Sequence, residues 1–389
     1  MEQVYFDHAA TTPPRPEVIR AMLPYLADKW GNPSSLHVTG VRALEGMERA
    51  REHVSALLGA QPDEIVFTGS GTEADNHALI GVSHALRDRG DHIITSAVEH
   101  HAVLHTAVFL QECGVQVTLL PVDGSGMVDP GDVAAAITDR TILVSIMHAN
   151  NEVGTVQPIA EIGAICRERD VLFHSDAVQT VGHLPLGVRE THVDLLSLSA
   201  HKLYGPKGVG ALYVRQGTRL RSYLHGGGQE RGRRASTENV PGIIGLGEAA
   251  RLAREDMTWE IGHSTELRSL LIHGVCERVA DVVVTGHPDC RLPNNASFCF
   301  AGVEGESVLL NLDLEGFAVS SGSACTSGAL EPSHVLLAMG IPHEIARGSV
   351  RVSVGRDSTV EQVQRFLEVL PRVAARLRGM SPIAPAVSR

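Results

Sequence analysis

Lys202 is the residue whose surroundings first suggest chemistry. It lies in SLSAHKLYGPKGVGALYV (197–214), after the apolar run VDLLSLS and before a glycine-rich turn. An isolated lysine is an ordinary surface residue. One at the end of a buried strand has its proton affinity lowered, and a neutral amine can form a Schiff base. Ser199 and His201 add donors beside it. Twenty-six residues earlier, FHSDAVQT (173–180) puts Asp176 at the end of a second apolar run. That carboxylate could cap the next helix. It could equally hold the proton on a pyridinium nitrogen, as pyridoxal phosphate chemistry requires. Gln179 could then hydrogen-bond the ring hydroxyl.

FTGSGTEADN (67–76) reads as strand, glycine turn and helix. Its amides and helix dipole suit a phosphate, with the Thr72 hydroxyl as a further donor. GSGTEA also fits the dinucleotide pattern G-x-G-x-x-A, with Asp88 and Asp91 near where a ribose-binding acid would fall. A nicotinamide enzyme is therefore a rival on this motif, but it leaves Lys202, Asp176 and the loop of Cys325 without a role. In VEHHAVLHT (98–106), His101 and His105 have the i, i+4 spacing of metal ligands, without an H-E-x-x-H pattern. His100, just after a strand, could instead stack on a flat ring and move protons. The other distinctive segment is AVSSGSACTSGALEPSHV (318–335), where Cys325 stands among serines, threonine and glycines. Unpaired cysteine is usually buried, so a thiol in such polar, flexible composition suggests use. In SVRVSVGR (349–356), Arg351 alternates with valines and could clamp a carboxylate, with Arg347 and Arg356 as substitutes.

These residues need a scaffold that brings strand ends together. The chain has 389 residues, 43% of them hydrophobic and 20% charged, enough to bury a large core. Its formal net charge of −12 argues against nucleic acid or an anionic membrane as partner. No apolar run has the length of a membrane span, and the start lacks signal-peptide character, so the expected location is the cytoplasm. None of the six cysteines forms a C-x-x-C pair. A cluster-assembly scaffold that binds iron through clustered thiols thus lacks support. Near-continuous apolar runs at 64–68, 92–98, 115–122, 141–147, 171–177, 193–199 and 210–214 alternate with helical patterns such as 73–86 and 159–169. That predicts an α/β fold with a mostly parallel, doubly wound sheet. After a glycine- and arginine-rich stretch (225–237), a long helical pattern runs to about 280. Shorter strands and helices follow, as expected of a smaller α+β domain. The expected division is 15–255 for the large domain, with 1–14 and 256–389 forming the small one, which carries the cysteine loop at about 318–331.

Together, SAHKLYGPKGVGALYV, FHSDAVQT, ANNEVGTVQPI (149–159), VEHHAVLHT and SSGSACTSGALEPSHV resemble the cysteine desulfurases. These belong to the class V branch of fold-type I pyridoxal phosphate enzymes. The resemblance extends from YFDHAATTP (5–13) through GNPSSLH (31–37) to residue 356. It implies pyridoxal 5′-phosphate as cofactor, with Lys202 as its covalent anchor, Asp176 at the ring nitrogen, Gln179 at the phenolic oxygen and His100 on the ring face. Gly71, Thr72, Ser199 and His201 would bind the phosphate, and Thr237 would reach the cofactor of the other subunit of a homodimer. Asn151 and Arg351 would hold the substrate, L-cysteine. Cys325 would take its sulfur as a persulfide, releasing alanine. A base such as His100 would ionise the Cys325 thiol, of which only a few per cent is thiolate at neutral pH. The expected acceptor is a sulfur-accepting or iron–sulfur scaffold protein, and no metal is required, although Cys325 could touch a nascent cluster. One departure stands out: Ser236 occupies a position where relatives commonly have glycine, which is strained if the backbone there has positive φ.

Overall fold

The computed structural model describes residues 3–322 and 332–380. In chain order the elements are β1 (Val4–Tyr5), α1 (Pro16–Ala27), α2 (Val38–Leu58), β2 (Ile65–Thr68), α3 (Gly71–Ala85), β3 (His92–Ser96), α4 (His101–Glu112), β4 (Gln116–Leu120), α5 (Pro130–Ala136), β5 (Thr141–Ser145), α6 (Ile159–Glu168), β6 (Leu172–Asp176), β7 (Leu195–Ser199) and β8 (Gly210–Val214). There follow α7 (Val240–Arg278), β9 (Val282–Thr285), β10 (Asn295–Phe300), α8 (Gly305–Leu314), β11 (Phe317–Ala318), α9 (His334–Ala338), α10 (His343–Ala346), β12 (Ser349–Ser353) and α11 (Val360–Met380).

The apolar runs seen in the sequence form a seven-stranded sheet in the order β2-β8-β7-β6-β5-β3-β4. Strands β3, β5, β7 and β8 are buried along their whole length, because helices cover both faces and leave no side for polar residues. Edge strand β4 is the exception, with Leu119 half exposed. Strands β4, β3, β5, β6 and β7 run parallel. β8 departs from the expected pattern, lying antiparallel to both β7 and β2. Residues 200–209 are too few for a parallel crossover, so the chain turns back on itself.

The pairing points the carboxyl ends of β2, β3, β5, β6 and β7 to one edge of the sheet. The chain passes from β3 to β4 on one side and returns to β5 on the other. Ligands of open α/β sheets lie at the carboxyl edge beside such a switch.

A second core gathers around the antiparallel sheet β12-β10-β9. Phe6, Phe317 and Phe366 pack there with ring centroids 5.4–6.3 Å apart. Helix α7 is continuous over 39 residues. It gives Val240–Ala253 to the large core and Leu267–Val275 to the second one, and the expected division near residue 255 falls inside it. β1 pairs with β11, so the amino terminus is tied to the second core. Residues 7–12 then cross to the carboxyl edge of the large sheet.

Candidate active site

Lys202 closes a single 3-10 turn, residues 200–202, directly after β7. Two unusual contacts hold that turn. Tyr204 adopts φ +61°, a costly conformation for a bulky residue, with its amide donating to Thr12 Oγ1 at 2.8 Å. His183 Nε2 lies 2.7 Å from the Lys202 carbonyl oxygen, and its Nδ1 lies 3.1 Å from Glu260 Oε1. The Lys202 ammonium donates to the carbonyls of Ala9 and Ala10, the latter at 2.8 Å. The crossing segment 7–12 thus roofs the lysine.

Lys202 opens into a cavity of about 510 Å³. Gly71, Thr72, His100, Asn151, Asp176, Gln179, Ser199, His201 and Arg351 also line it. Every cofactor and substrate residue expected from the sequence is therefore here, except Thr237 and Cys325. Thr237 is exposed and outside the lining. Cys325 lies outside the described residues, while Gly322, three positions before it, is part of the wall.

The amino terminus of α3 presents Gly71 and Thr72 to the cavity, with Ser70 as N-cap accepting from the Glu73 amide at 3.1 Å. A Cβ on Gly71 would stand 2.7 Å from Val178 Cγ2, so glycine is what permits this helix start to meet the segment after β6. Asp176, 5% exposed, is part of the same lining. Its Oδ1 accepts from the Val178 amide at 2.9 Å; no helix lies among the described residues between β6 and β7, so this is a turn contact and not the helix cap that the sequence allowed. Burial pushes the Asp176 carboxyl up to about 6, against the pull of the Val178 amide and of Lys202. Gln179 Nε2 donates to the Ala9 carbonyl at 3.0 Å.

His100 is the N-cap of α4, its Nδ1 accepting from the Ala102 amide at 3.1 Å. Burial lowers its proton affinity to about 4, helped by Lys202 and neighbouring histidines. The imidazole is thus neutral, and with Nδ1 engaged its proton sits on Nε2. It is built to donate; the expected base role requires the cap bond to open.

Arg351 is 3% exposed. Its Nη1 donates to the Asn151 carbonyl at 2.8 Å and its Nη2 to Asp7 Oδ1 at 2.8 Å. Nε is buried without a partner among the described residues, which suits it to an incoming carboxylate. Sequence reasoning gave no role to Asp7 or to Ala9–Thr11. The signal was a run of small residues, AATT, between DH and PP, too weak to read without the fold.

The rival readings place differently. Asp88 pairs with Arg219 at 3.0 Å and Asp91 with Arg140, both outside the cavity lining, which removes the ribose-binding acid from the nicotinamide reading. The rings of His101 and His105 lie 4.8 Å apart. Among the described residues no group of three or more His, Cys, Asp or Glu is arranged to hold a metal ion.

The loop carrying Thr237 is anchored to the large sheet. Arg51 and Glu230 form a buried bidentate pair at 2.9 Å, with Glu230 also accepting from the Phe67 amide. Breaking such a pair from one side costs roughly 3–5 kcal/mol. Arg234 grips Glu73 at 2.7 and 3.0 Å. Ser236 has φ +91°, the positive φ at which a serine is strained. Left-handed backbone costs a non-glycine residue roughly 1–2 kcal/mol, and glycine returns about half of that as chain entropy. Ser236→Gly is expected to raise the unfolding free energy by about 0.5–1 kcal/mol, read as a higher urea midpoint at unchanged slope. A lowered midpoint would mean that the serine makes a contact worth more than the strain.

A family model described as Aminotransferase class-V matches residues 4–366. The chain belongs to the class-V aminotransferase family. It is 55% identical over 380 residues to a cysteine desulfurase IscS of Dictyoglomus turgidum, covering 98% of this chain and 96% of the relative. It is 52% identical to a cysteine desulfurase IscS of Methanosarcina thermophila, covering 98% and 94%. Among solved structures, a NifS-like protein superposes with a TM-score of 0.91 at 39% identity, over 96% of this chain and 100% of that one. A structure titled SspA in complex with cysteine gives 0.81 at 37% identity, over 91% and 99%. Family membership implies pyridoxal 5′-phosphate in general terms, and the cavity fits it. A helix amino terminus with hydroxyls, an amine and a buried carboxylate line one space, with an unpartnered arginine Nε at its wall. Among the described residues no helix is long and apolar enough to cross a membrane.

Proposed function

We propose that this class-V aminotransferase family member is a cysteine desulfurase, converting L-cysteine to L-alanine and passing the sulfur to Cys325 and then to an acceptor protein. The observation that carries the reading is the convergence of Lys202, Asp176 and the α3 amino terminus on one cavity. Bound there, pyridoxal phosphate supplies an electron sink for charge developing at the substrate Cα and a route to cleavage of the Cβ–S bond.

The chain's own groups do the rest. Gly71 and Thr72, with Ser199 and His201, bind the phosphate. Lys202 anchors the aldehyde end and afterwards carries the proton to and from the substrate Cα. Asp176 keeps the ring nitrogen protonated by charge. Gln179 would face the phenolic oxygen. His100 would lie on the ring face, able to donate from Nε2. Arg351 and Asn151 orient the amino acid, Arg351 through the substrate carboxylate. The Cys325 thiolate attacks the substrate sulfur, so that a persulfide forms as the Cβ–S bond breaks and the carbon takes up a proton. The sum is redox-neutral.

The functional unit we infer is a homodimer. Leu23, Leu26, Trp30, Leu36 and Val38 on and between α1 and α2 are 54–98% exposed, and so much apolar surface favours a partner. A neighbouring cavity of about 530 Å³, lined by Thr72, His100, Phe109 and Tyr223, offers room beside the phosphate end for Thr237 of the second copy. We place the protein in the cytoplasm, working with a sulfur-accepting or iron–sulfur scaffold protein, and assign it no metal of its own.

The test is an absorbance spectrum of the purified protein with and without L-cysteine, with alanine and sulfide assayed together under a thiol reductant. The expected result is a visible cofactor band that L-cysteine perturbs, with alanine and sulfide formed in equal amounts. Pyruvate and ammonia in place of alanine would assign an elimination instead.

A further inference from the structure

The cavity has a second buried carboxyl that the reading above does not use. Asp75 sits on α3, one turn beyond Gly71, and is 1% exposed. Its helix neighbours Ala74, Ala78, Leu79 and Val82 are all core. An acid in that apolar setting is the anomaly, and Asp75 lines the same cavity as Asp176.

Its Oδ1 has no hydrogen-bond partner among the described residues and lies 3.6 Å from His174 Nε2. His174 precedes Asp176 by two positions on β6, so both side chains share a face of the strand. The imidazole is fully buried between two hydroxyls, Ser145 Oγ at 2.8 Å and Ser197 Oγ at 3.0 Å. Burial holds its proton affinity down to about 3, so it brings no positive charge to Asp75.

The groups that face Asp75 are Asp176 and His174 from β6, Ser197 from β7 and Glu99 from the segment after β3. Burial pushes Glu99 up to about 8, against hydrogen bonds from Ser96 and the Met147 amide. Burial, then Asp176, raises Asp75 well above the usual carboxylate range. Lys202 favours the charged form of Asp176. Two buried carboxyls that repel each other do not readily both ionise, and the asymmetry of their surroundings decides which one does.

We propose that Asp75 is a positioning residue for Asp176: with His174 and Ser197 it forms a proton-holding cluster that leaves Asp176 as the carboxylate facing the cofactor ring. This rests on the reading that Asp176 meets the ring nitrogen. Asparagine has nearly the shape of a protonated Asp75 and keeps a donor, so it substitutes for it. Alanine does not.

The experiment compares Asp75→Asn and Asp75→Ala as holoenzymes. The expected result is that Asp75→Ala loses about tenfold or more in kcat/KM, as for loss of an outer supporting group, and shifts the pH midpoint of the cofactor's visible band. Asp75→Asn restores both. An unchanged midpoint in Asp75→Ala, or failure of Asp75→Asn to restore it, overturns the proposal. Asp176→Asn separates the two levels. If it leaves cofactor affinity and the visible band intact, the Asp176 reading itself has failed. If it damages both while Asp75→Ala does not, only the role of Asp75 has.

A cofactor-free measurement guards against Asp75→Ala not folding. Because the folded-state proton affinity of Asp75 is raised, its contribution to stability is full below the unfolded pKa, about 4, and is lost as pH rises through the folded value. The apoprotein should therefore lose stability relative to Asp75→Asn as pH rises above about 4. Its infrared spectrum at neutral pH should also contain a protonated-carboxyl band that Asp75→Asn lacks. Identical spectra would overturn the proposal without any activity assay.

Discussion

Lys202→Ala is expected to abolish the borohydride-reducible bond between protein and cofactor and to lower turnover of L-cysteine about a thousandfold or more, the scale of a lost proton-transfer group. Two functions would be lost together, the anchor and the proton carrier at the substrate Cα. The fold should survive. The turn that carries Lys202 is held by backbone contacts, through His183 to the Lys202 carbonyl and through Thr12 to the Tyr204 amide, and these do not involve the ammonium group. Lys207 also lines the cavity, so the outcome is informative in either direction. A reducible bond that persists in Lys202→Ala and disappears in Lys207→Ala would move the anchor. Loss of turnover with the bond intact would leave Lys202 as proton carrier only. Added primary amines should partly restore turnover in Lys202→Ala if proton transfer is the missing step, and should leave an unfolded variant unchanged.

The strands that hold this site were legible because burial on both faces forces unbroken apolar runs, and each of the seven strands of the large sheet falls within such a run. Lys202 and Asp176 were legible because a charged residue that ends such a run must have a use for its burial. The antiparallel placement of β8 was missed although the sequence held its signal, the short spacing between 199 and 210. What could not be read was the crossing of residues 7–12. Those residues acquire their role from β1 pairing with β11, more than three hundred positions away, and no local pattern carries that pairing. Asp75 was overlooked for a related reason. In GTEADN it reads as one more polar residue at a helix start, and only the packing of α3 against β6 and β7 turns it inward. The strain at Ser236 was anticipated from a substitution rather than from periodicity, which marks the position but not the angle.

Cys325→Ala is expected to leave the visible band of the cofactor and its response to L-cysteine intact while sulfide release under reductant falls to background. The separation follows from the layout. Lys202, Asp176 and the α3 amino terminus lie at the carboxyl edge of the large sheet, whereas Cys325 belongs to the segment after β11. Its flanking described residues meet the site at two places, one of them the backbone pairing of Ser320 with Arg351. Gly322 lines the cavity, with φ +82° and its Cβ position 3.3 Å from Glu152 Oε2, and Ser333 donates its hydroxyl to the same Glu152 oxygen. The hydrogen bonds that hold Lys202, Asp176 and Arg351 run to Ala10, Val178, Asn151 and Asp7. The other cysteines provide the controls. Burial pushes the thiols of Cys166 and Cys299 up to about 12, which leaves them un-ionised and inert at neutral pH. Cys113, Cys276 and Cys290 are exposed, outside the cavity lining, and their alanine variants should turn over as the parent does. Full sulfide release by Cys325→Ala would exclude Cys325 as the acceptor and direct attention to those three. Loss of the visible band in the same variant would instead mean that the segment helps to build the cofactor site, and that the separation between sulfur transfer and cofactor chemistry is not present in this chain.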